Sequence, residues 1–184
     1  MVFGVVRPYP WKELKISEFP ALEAYAQGFP TNIPFSESIG FLIEEVPGSS
    51  LTMMVTAHEA AHQWWGNIVT PGKFPGANIL SEGMAHFSTA LLFEQLRGPR
   101  GRIEFLKRIE ERYDNNRRVD SERPLVRIDG SKDGDTTVTY DKGGWVFGWC
   151  CATWGASAAS RGSAISLGRR ATAQTSPFSR ITSP

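Results

Sequence analysis

Two histidines four residues apart, with a glutamate directly after the first, stand in His58-Glu59-Ala60-Ala61-His62. On a helix, positions four apart lie about 40° apart around the axis, one turn above the other. Both imidazoles can then reach one metal ion, and the glutamate can reach a water on that ion. This is the geometry of a zinc hydrolase, with His58 and His62 as ligands and Glu59 as general base. The plain alternative is a surface helix bearing two solvated histidines. The flanks argue against it, because Met53, Met54 and Val55 precede the motif and Trp64 and Trp65 follow it. A helix of that composition is buried, and buried imidazoles and carboxylates need partners. A metal supplies them. The chain has three histidines, and two of them fall in this motif.

A catalytic zinc of this type takes a third protein ligand and keeps one position open. Glu82 is the candidate. It opens a second helical pattern in which Met84, Phe87, Leu91 and Leu92 form an apolar stripe, with Ser81 or Asn78 able to cap its start. Gly66 ends the first helix, and Pro71, Gly72, Pro75 and Gly76 make a loop between the two. Two antiparallel helices so connected can set Glu82 opposite His58 and His62. Taken alone, Glu82 reads equally as a helix N-terminal glutamate favoured by the dipole. His86, four residues on, is a rival. As a fourth ligand it would close the open position, so it reads better as a group behind the ligands or as an exposed one.

These residues resemble a family. The stretch from His58 to Thr70, His-Glu-Ala-Ala-His-Gln-Trp-Trp-Gly-Asn-Ile-Val-Thr, is similar to the signature helix of the M1 aminopeptidases, in the gluzincin clan of zinc metallopeptidases. Ser81-Glu82-Gly83 resembles their Asn-Glu-Gly, whose glutamate is the third zinc ligand. The spacing between His62 and Glu82 is one residue longer than usual, as in a bacterial branch that includes large membrane-anchored proteins. Tyr140-Asp141-Lys142-Gly143 resembles the family's Tyr-x-Lys-Gly, whose tyrosine donates to the oxyanion formed on attack of water. Without that context Tyr140 is an ordinary aromatic ending a Thr/Val strand over residues 135–140. Glu37, in Phe35-Ser36-Glu37-Ser38-Ile39-Gly40, occupies the place of the glutamate that binds the substrate's free amine. Its neighbours Ser36 and Ser38 depart from the family's Met and Asn.

The resemblance spans about residues 8–150. It implies an α+β, thermolysin-like zinc metallopeptidase catalytic domain, mainly helical, with a small β-sheet on its N-terminal side. It also implies one Zn2+ per chain, a peptide substrate and aminopeptidase activity. Endopeptidase activity at the same site is a competing expectation, as is a catalytically inactive zinc-binding or structural module. The family's preceding β-rich domain and following helical domain are not recognisable here, so the chain reads as a partial domain.

At 184 residues, 41% hydrophobic and 21% charged, one globular domain with a sizeable core is expected. A net charge of +1 points to no nucleic-acid partner. The cysteines, Cys150 and Cys151, are adjacent and make no disulfide framework. There is no 18-residue apolar run, and Met1–Val6 is too short for a signal-peptide core, so a cytoplasmic location is the default expectation. Membrane attachment stays open for a longer form. Residues 155–184 hold four arginines, seven serines and no Asp, Glu or Lys. We expect residues 1–154 to form the catalytic domain and 155–184 to be a disordered or frameshifted tail.

The elements that must position the chemistry follow from periodicity. A helical turn and strand are expected over residues 11–19, a turn-rich loop over 28–34 and a strand over 38–45. The motif helix is expected over about 52–65, capped by Ser50 or Thr52. Further helices are expected at 82–97, stopped by Gly98-Pro99, and at 102–118, with a loop over 119–134.

Overall fold

The computed structural model describes residues 8–40, 42 and 50–150. The chain is mainly helical with a two-stranded sheet at its N-terminal side. Strands β1 (Lys15–Phe19) and β2 (Asn32–Ser36) pair in parallel, with Lys15 opposite Asn32 and Phe19 opposite Ser36. A short helix, α1 (Glu37–Gly40), follows directly. Among the described residues, three longer helices carry most of the rest: α2 (Leu51–Ala61), α3 (Glu82–Arg97) and α4 (Pro99–Asn116).

The motif helix α2 is the central element. Ser50 caps it, its hydroxyl accepting from the Met53 N–H at 2.9 Å. One side of α2 sends Met54 into a cluster with Ala90 and Phe93 of α3 and Phe105 and Ile109 of α4. Its other side lays Val55 and Ala60 against Ile33, Phe35 and Ile39. A helix gripped on two faces cannot rotate without opening one of two packed clusters.

The helix stops at Ala61, four residues earlier than its pattern suggests. Gly66 enters the left-handed region at φ 101°, and its N–H donates to the Val69 carbonyl at 2.9 Å. That turn folds Trp64 and Trp65 back as packing groups. Trp64 is buried against Tyr9, with ring centroids 5.8 Å apart, and the Trp65 indole donates to Ser88 at 2.9 Å.

Two strand expectations are corrected. The strand lies at Asn32–Ser36, in part of the stretch read as a loop, and residues 38–40 of the expected 38–45 strand are helical instead. Residues 41 and 43–45 of that expectation lie outside the described residues. Pro34 cannot donate to a ladder. Here it still serves as an acceptor, taking the Gln27 N–H at 3.3 Å.

The Thr/Val run at 135–140 is helical as well. Asp135–Thr137 runs into a π-helical turn, Val138–Lys142. Val138, Thr139 and Asp141 are buried there, so tertiary packing overrides the β-propensity of the run. The expected helices at 82–97 and 102–118 are present, the second beginning at Pro99 and ending at Asn116. The 155–184 tail lies outside the described residues. No helix among the described residues is long and apolar enough to cross a membrane.

Residues 119–134 form the expected loop, broken by one 3-10 turn at Leu125–Arg127, and ion pairs fasten it. Arg123 binds Asp129 and Asp135 together. Glu122 accepts from Tyr113 and from Lys142, each at 2.6 Å, and pairs with Arg117 at 2.9 Å. It thus ties the end of α4 to the π turn. Burial pushes the Glu122 carboxyl up, but the bonds from Lys142 and Tyr113 outweigh it and hold the group below its usual range. A carboxyl lowered on folding contributes stability above its unfolded pKa, about 4.3, and loses it as pH falls through the lower folded value. Glu122→Gln should therefore cost about 1 kcal/mol near neutral pH. In denaturant titrations the gap to wild type should close on acidification below about pH 4. A gap that widens in acid would contradict this account.

Candidate metal centre

The last turn of α2 carries His58 and Glu59, and His62 follows as its C-cap residue. The connection to α3 closes with a 3-10 turn, Ala77–Leu80, and Glu82 is the first residue of α3. Ser81 sits at the cap position but makes no capping bond, in contrast to expectation. Its hydroxyl turns to the Glu82 carboxylate at 3.4 Å.

The structure brings His58, His62 and Glu82 together. His58 Nε2 and His62 Nε2 are 3.1 Å apart, and each lies 3.2 Å from Glu82 Oε2. Three ligand atoms converge on one point, as a metal site requires. A tetrahedron with bonds of about 2.0–2.1 Å has edges of about 3.3–3.4 Å, close to this triangle. The donor chemistry also fits. His62 Nδ1 lies 2.8 Å from the Trp65 carbonyl, which can only accept. The ring proton is therefore on Nδ1, and the Nε2 lone pair faces Glu82 and His58.

The electrostatics follow from burial. Desolvation holds His58 down to about 3, with His86 and His62 adding to it against its bond to the Glu82 carboxylate. Burial alone would raise Glu82, but its bonds to His58 and His62 hold it below the usual carboxylate range. His62 is raised overall, because bonding and attraction to Glu82 outweigh its burial. A neutral His58 and an ionised Glu82 are the states in which these groups bind metals.

Glu59 is not one of the three converging residues. It is buried, and burial pushes its carboxyl up to about 7, against the opposing pull of His62 and of the Gly28 N–H that hydrogen-bonds it. A carboxyl titrating near neutrality can both take and give a proton at physiological pH. Tyr140 completes the group. Its ring stacks on His58 at 5.6 Å and 22°, and its hydroxyl hydrogen-bonds Glu82. Burial and the negative charges of Glu82 and Glu59 push the phenol above its ordinary range, so it stays a donor.

Glu37 is not brought into this group. It is half-buried at the junction of β2 and α1, and among the described residues its side chain makes no hydrogen bond or ion pair to the histidines. His86 is not a member of the trio either. It is buried behind His58, with Nδ1 2.7 Å from His58 Nδ1.

Sequence reasoning missed the loop that backs Glu59. Gln63, fully buried, donates to the Phe29 carbonyl at 2.7 Å and accepts from the Thr31 N–H at 3.0 Å. Asn67 donates to the Gly28 and His62 carbonyls, both at 2.8 Å. The loop lies so close that a Cβ on Gly28 would overlap the Glu59 carbonyl oxygen and sit 2.8 Å from His62 Cβ. The available signal was two amide side chains inside an apolar stretch, each needing a buried partner.

Comparison with known proteins follows this geometry. The Peptidase family M1 domain matches the chain over residues 8–170. Among solved structures the chain is similar to one titled an M1 zinc metallopeptidase from Deinococcus radiodurans, with 20% sequence identity and a TM-score of 0.57. That match covers 77% of this chain and 28% of the other, so the chain spans little more than a quarter of that protein. No curated protein matches the chain. The family match takes in the sheet, the trio and the π turn alike, and the chain belongs to peptidase family M1.

Proposed function

We propose that this chain carries the catalytic site of a zinc-dependent aminopeptidase. The observation that supports the reading is the convergence of His58, His62 and Glu82 with Glu59 and Tyr140 beside them. The three converging residues would hold one zinc ion. When bound, zinc supplies Lewis-acid polarisation of the carbonyl and makes water more acidic.

The chain's own residues do the rest. Glu59, titrating near neutrality, takes a proton from the attacking water and returns it to the departing amine. The Gly28 N–H orients that carboxylate. Tyr140, held protonated, donates its hydroxyl to the oxygen that gains charge as the carbonyl is attacked. Glu37 at the end of β2 would anchor the free amine of a peptide substrate, which restricts cleavage to the first peptide bond. An endopeptidase would use the same trio without that anchor.

Purified chain should contain one zinc, and His62→Ala should lose it together with any turnover of aminoacyl amides. Zinc absent from folded wild type would refute the reading. Zinc bound without turnover would select a zinc-binding module that is inactive by itself.

Glu59→Gln should keep the zinc and lower kcat by about 10²–10⁴. Tyr140→Phe should lower kcat by about 10²–10³ with a smaller change in KM. Full activity in either variant would remove that residue from its role. Glu37→Gln should raise KM for substrates with a free amine and leave N-blocked ones unaffected. Equal turnover of free and blocked substrates by wild type would point to an endopeptidase.

A further inference from the structure

Behind the trio a row of buried polar groups leads away from His58. Its Nδ1 lies 2.7 Å from His86 Nδ1, and the two rings meet edge to face at 4.6 Å. The other nitrogen of His86, Nε2, lies 3.6 Å from Asp141 Oδ1 and 2.7 Å from Arg112 Nη2. Arg112 in turn forks onto Asp141, with its Nε 2.8 and 3.0 Å from the two carboxylate oxygens. His86 is 5% exposed and Asp141 2%. His86 has nowhere to turn: Phe105 and Tyr140 wall its ring, and a Cβ on Gly144 would come within 2.5 Å of its own Cβ.

We propose that His86 is a positioning residue for His58, accepting the proton that His58 carries on Nδ1 and passing the constraint to Asp141. This inference rests on the zinc reading above and deepens it. Two ring nitrogens 2.7 Å apart share a single proton. Arg112 can only donate and an ionised Asp141 can only accept.

Two arrangements satisfy these groups. If His86 Nε2 accepts from Arg112, the shared proton belongs to His86. A neutral His58 then holds its own proton on Nε2, donates it to Glu82, and is closed to a metal. If Arg112 Nη2 withdraws and the His86 Nε2–H closes the 3.6 Å gap to Asp141, the shared proton belongs to His58. The His58 Nε2 lone pair then opens toward Glu82 and His62. Only the second arrangement admits zinc. Arg112 is the member free to yield, since its side chain is 39% exposed against 3% for Asp141. With the Trp65 carbonyl behind His62, both imidazoles are then fixed from behind.

The test is chelator competition for zinc on the full chain, comparing wild type, His86→Leu and His86→Asn, with melting in excess chelator to check the fold. His86→Leu should bind zinc about 10–100-fold more weakly, the usual cost of losing such a partner. His86→Asn, whose side-chain carbonyl can take the place of Nδ1, should recover most of that loss. Wild-type affinity in the Leu variant, or equal loss in both variants, would overturn the proposal while leaving the metal site standing. Absence of zinc from wild type would overturn the metal reading itself.

Should the Leu variant not fold, the ring-nitrogen NMR of zinc-loaded wild type decides. The proposal expects a proton on His86 Nε2 and on His58 Nδ1. The opposite tautomer of His86 would overturn it.

Discussion

Taking two imidazoles and two carboxylates out of water within one turn of each other is expensive unless every lone pair and proton has an assigned partner. That constraint shapes the chain more than any single apolar contact. His58, Glu59 and His62 sit on α2, Glu82 on the first turn of α3, and the first two are under a tenth exposed. The surroundings answer each group separately. The Trp65 carbonyl takes His62 Nδ1, His86 meets His58 Nδ1, Gly28 supplies an N–H to Glu59, and Tyr140 meets Glu82. The faces of the three convergent atoms that look toward each other are what remains.

Holding such a group together requires a rigid support, and the two apolar clusters supply it. Met54 locks α2 to α3 and α4, while Val55 and Ala60 lock it to the sheet side. The same helix that brings the ligands thus joins the two halves of the core. This explains why the loop containing Gly28 can be trusted with a functional N–H. Gln63 and Asn67, each within five residues of His62, bond that loop's carbonyls directly, so its position is referred to α2 itself. A loop fixed by side chains of the helix it serves needs little secondary structure of its own.

The sequence made legible what depends on local spacing. The pair at 58 and 62, the adjacent Glu59 and the start of α3 at Glu82 follow from helical geometry and a Pro/Gly connection, and the structure places them together. The α3 and α4 helices were legible for the same reason. What escaped was decided by contacts distant in sequence. Residues 135–140 look like a strand because Thr and Val favour one, yet they fold as helix because Val138 and Asp141 are buried against α3 and α4. Asn32–Ser36 contains a proline that a central ladder would reject, but a sheet of two strands has only edge positions. Arg112 lies on a helix and Asp141 at the variable place of the Tyr-x-Lys-Gly segment, and no periodicity links residues 29 apart.

Local and distant contacts also divide the work at the two histidines. His62 is oriented by a carbonyl three residues away, created by the turn at Gly66, so any chain that folds this helix and turn obtains it. His58 is oriented by a side chain on α3, which is itself faced by a residue of the π turn and an arginine of α4. The second arrangement exists only when α2, α3, α4 and the π turn have all docked. Asp141 directly follows Tyr140 in that turn, so the group fixing the rear of His58 and the phenol stacked on its ring are set by one backbone segment. Assembly of the core and readiness of the site are therefore the same event on this side of the molecule. A displacement of the π turn would disturb the proton donor and the ligand orientation together.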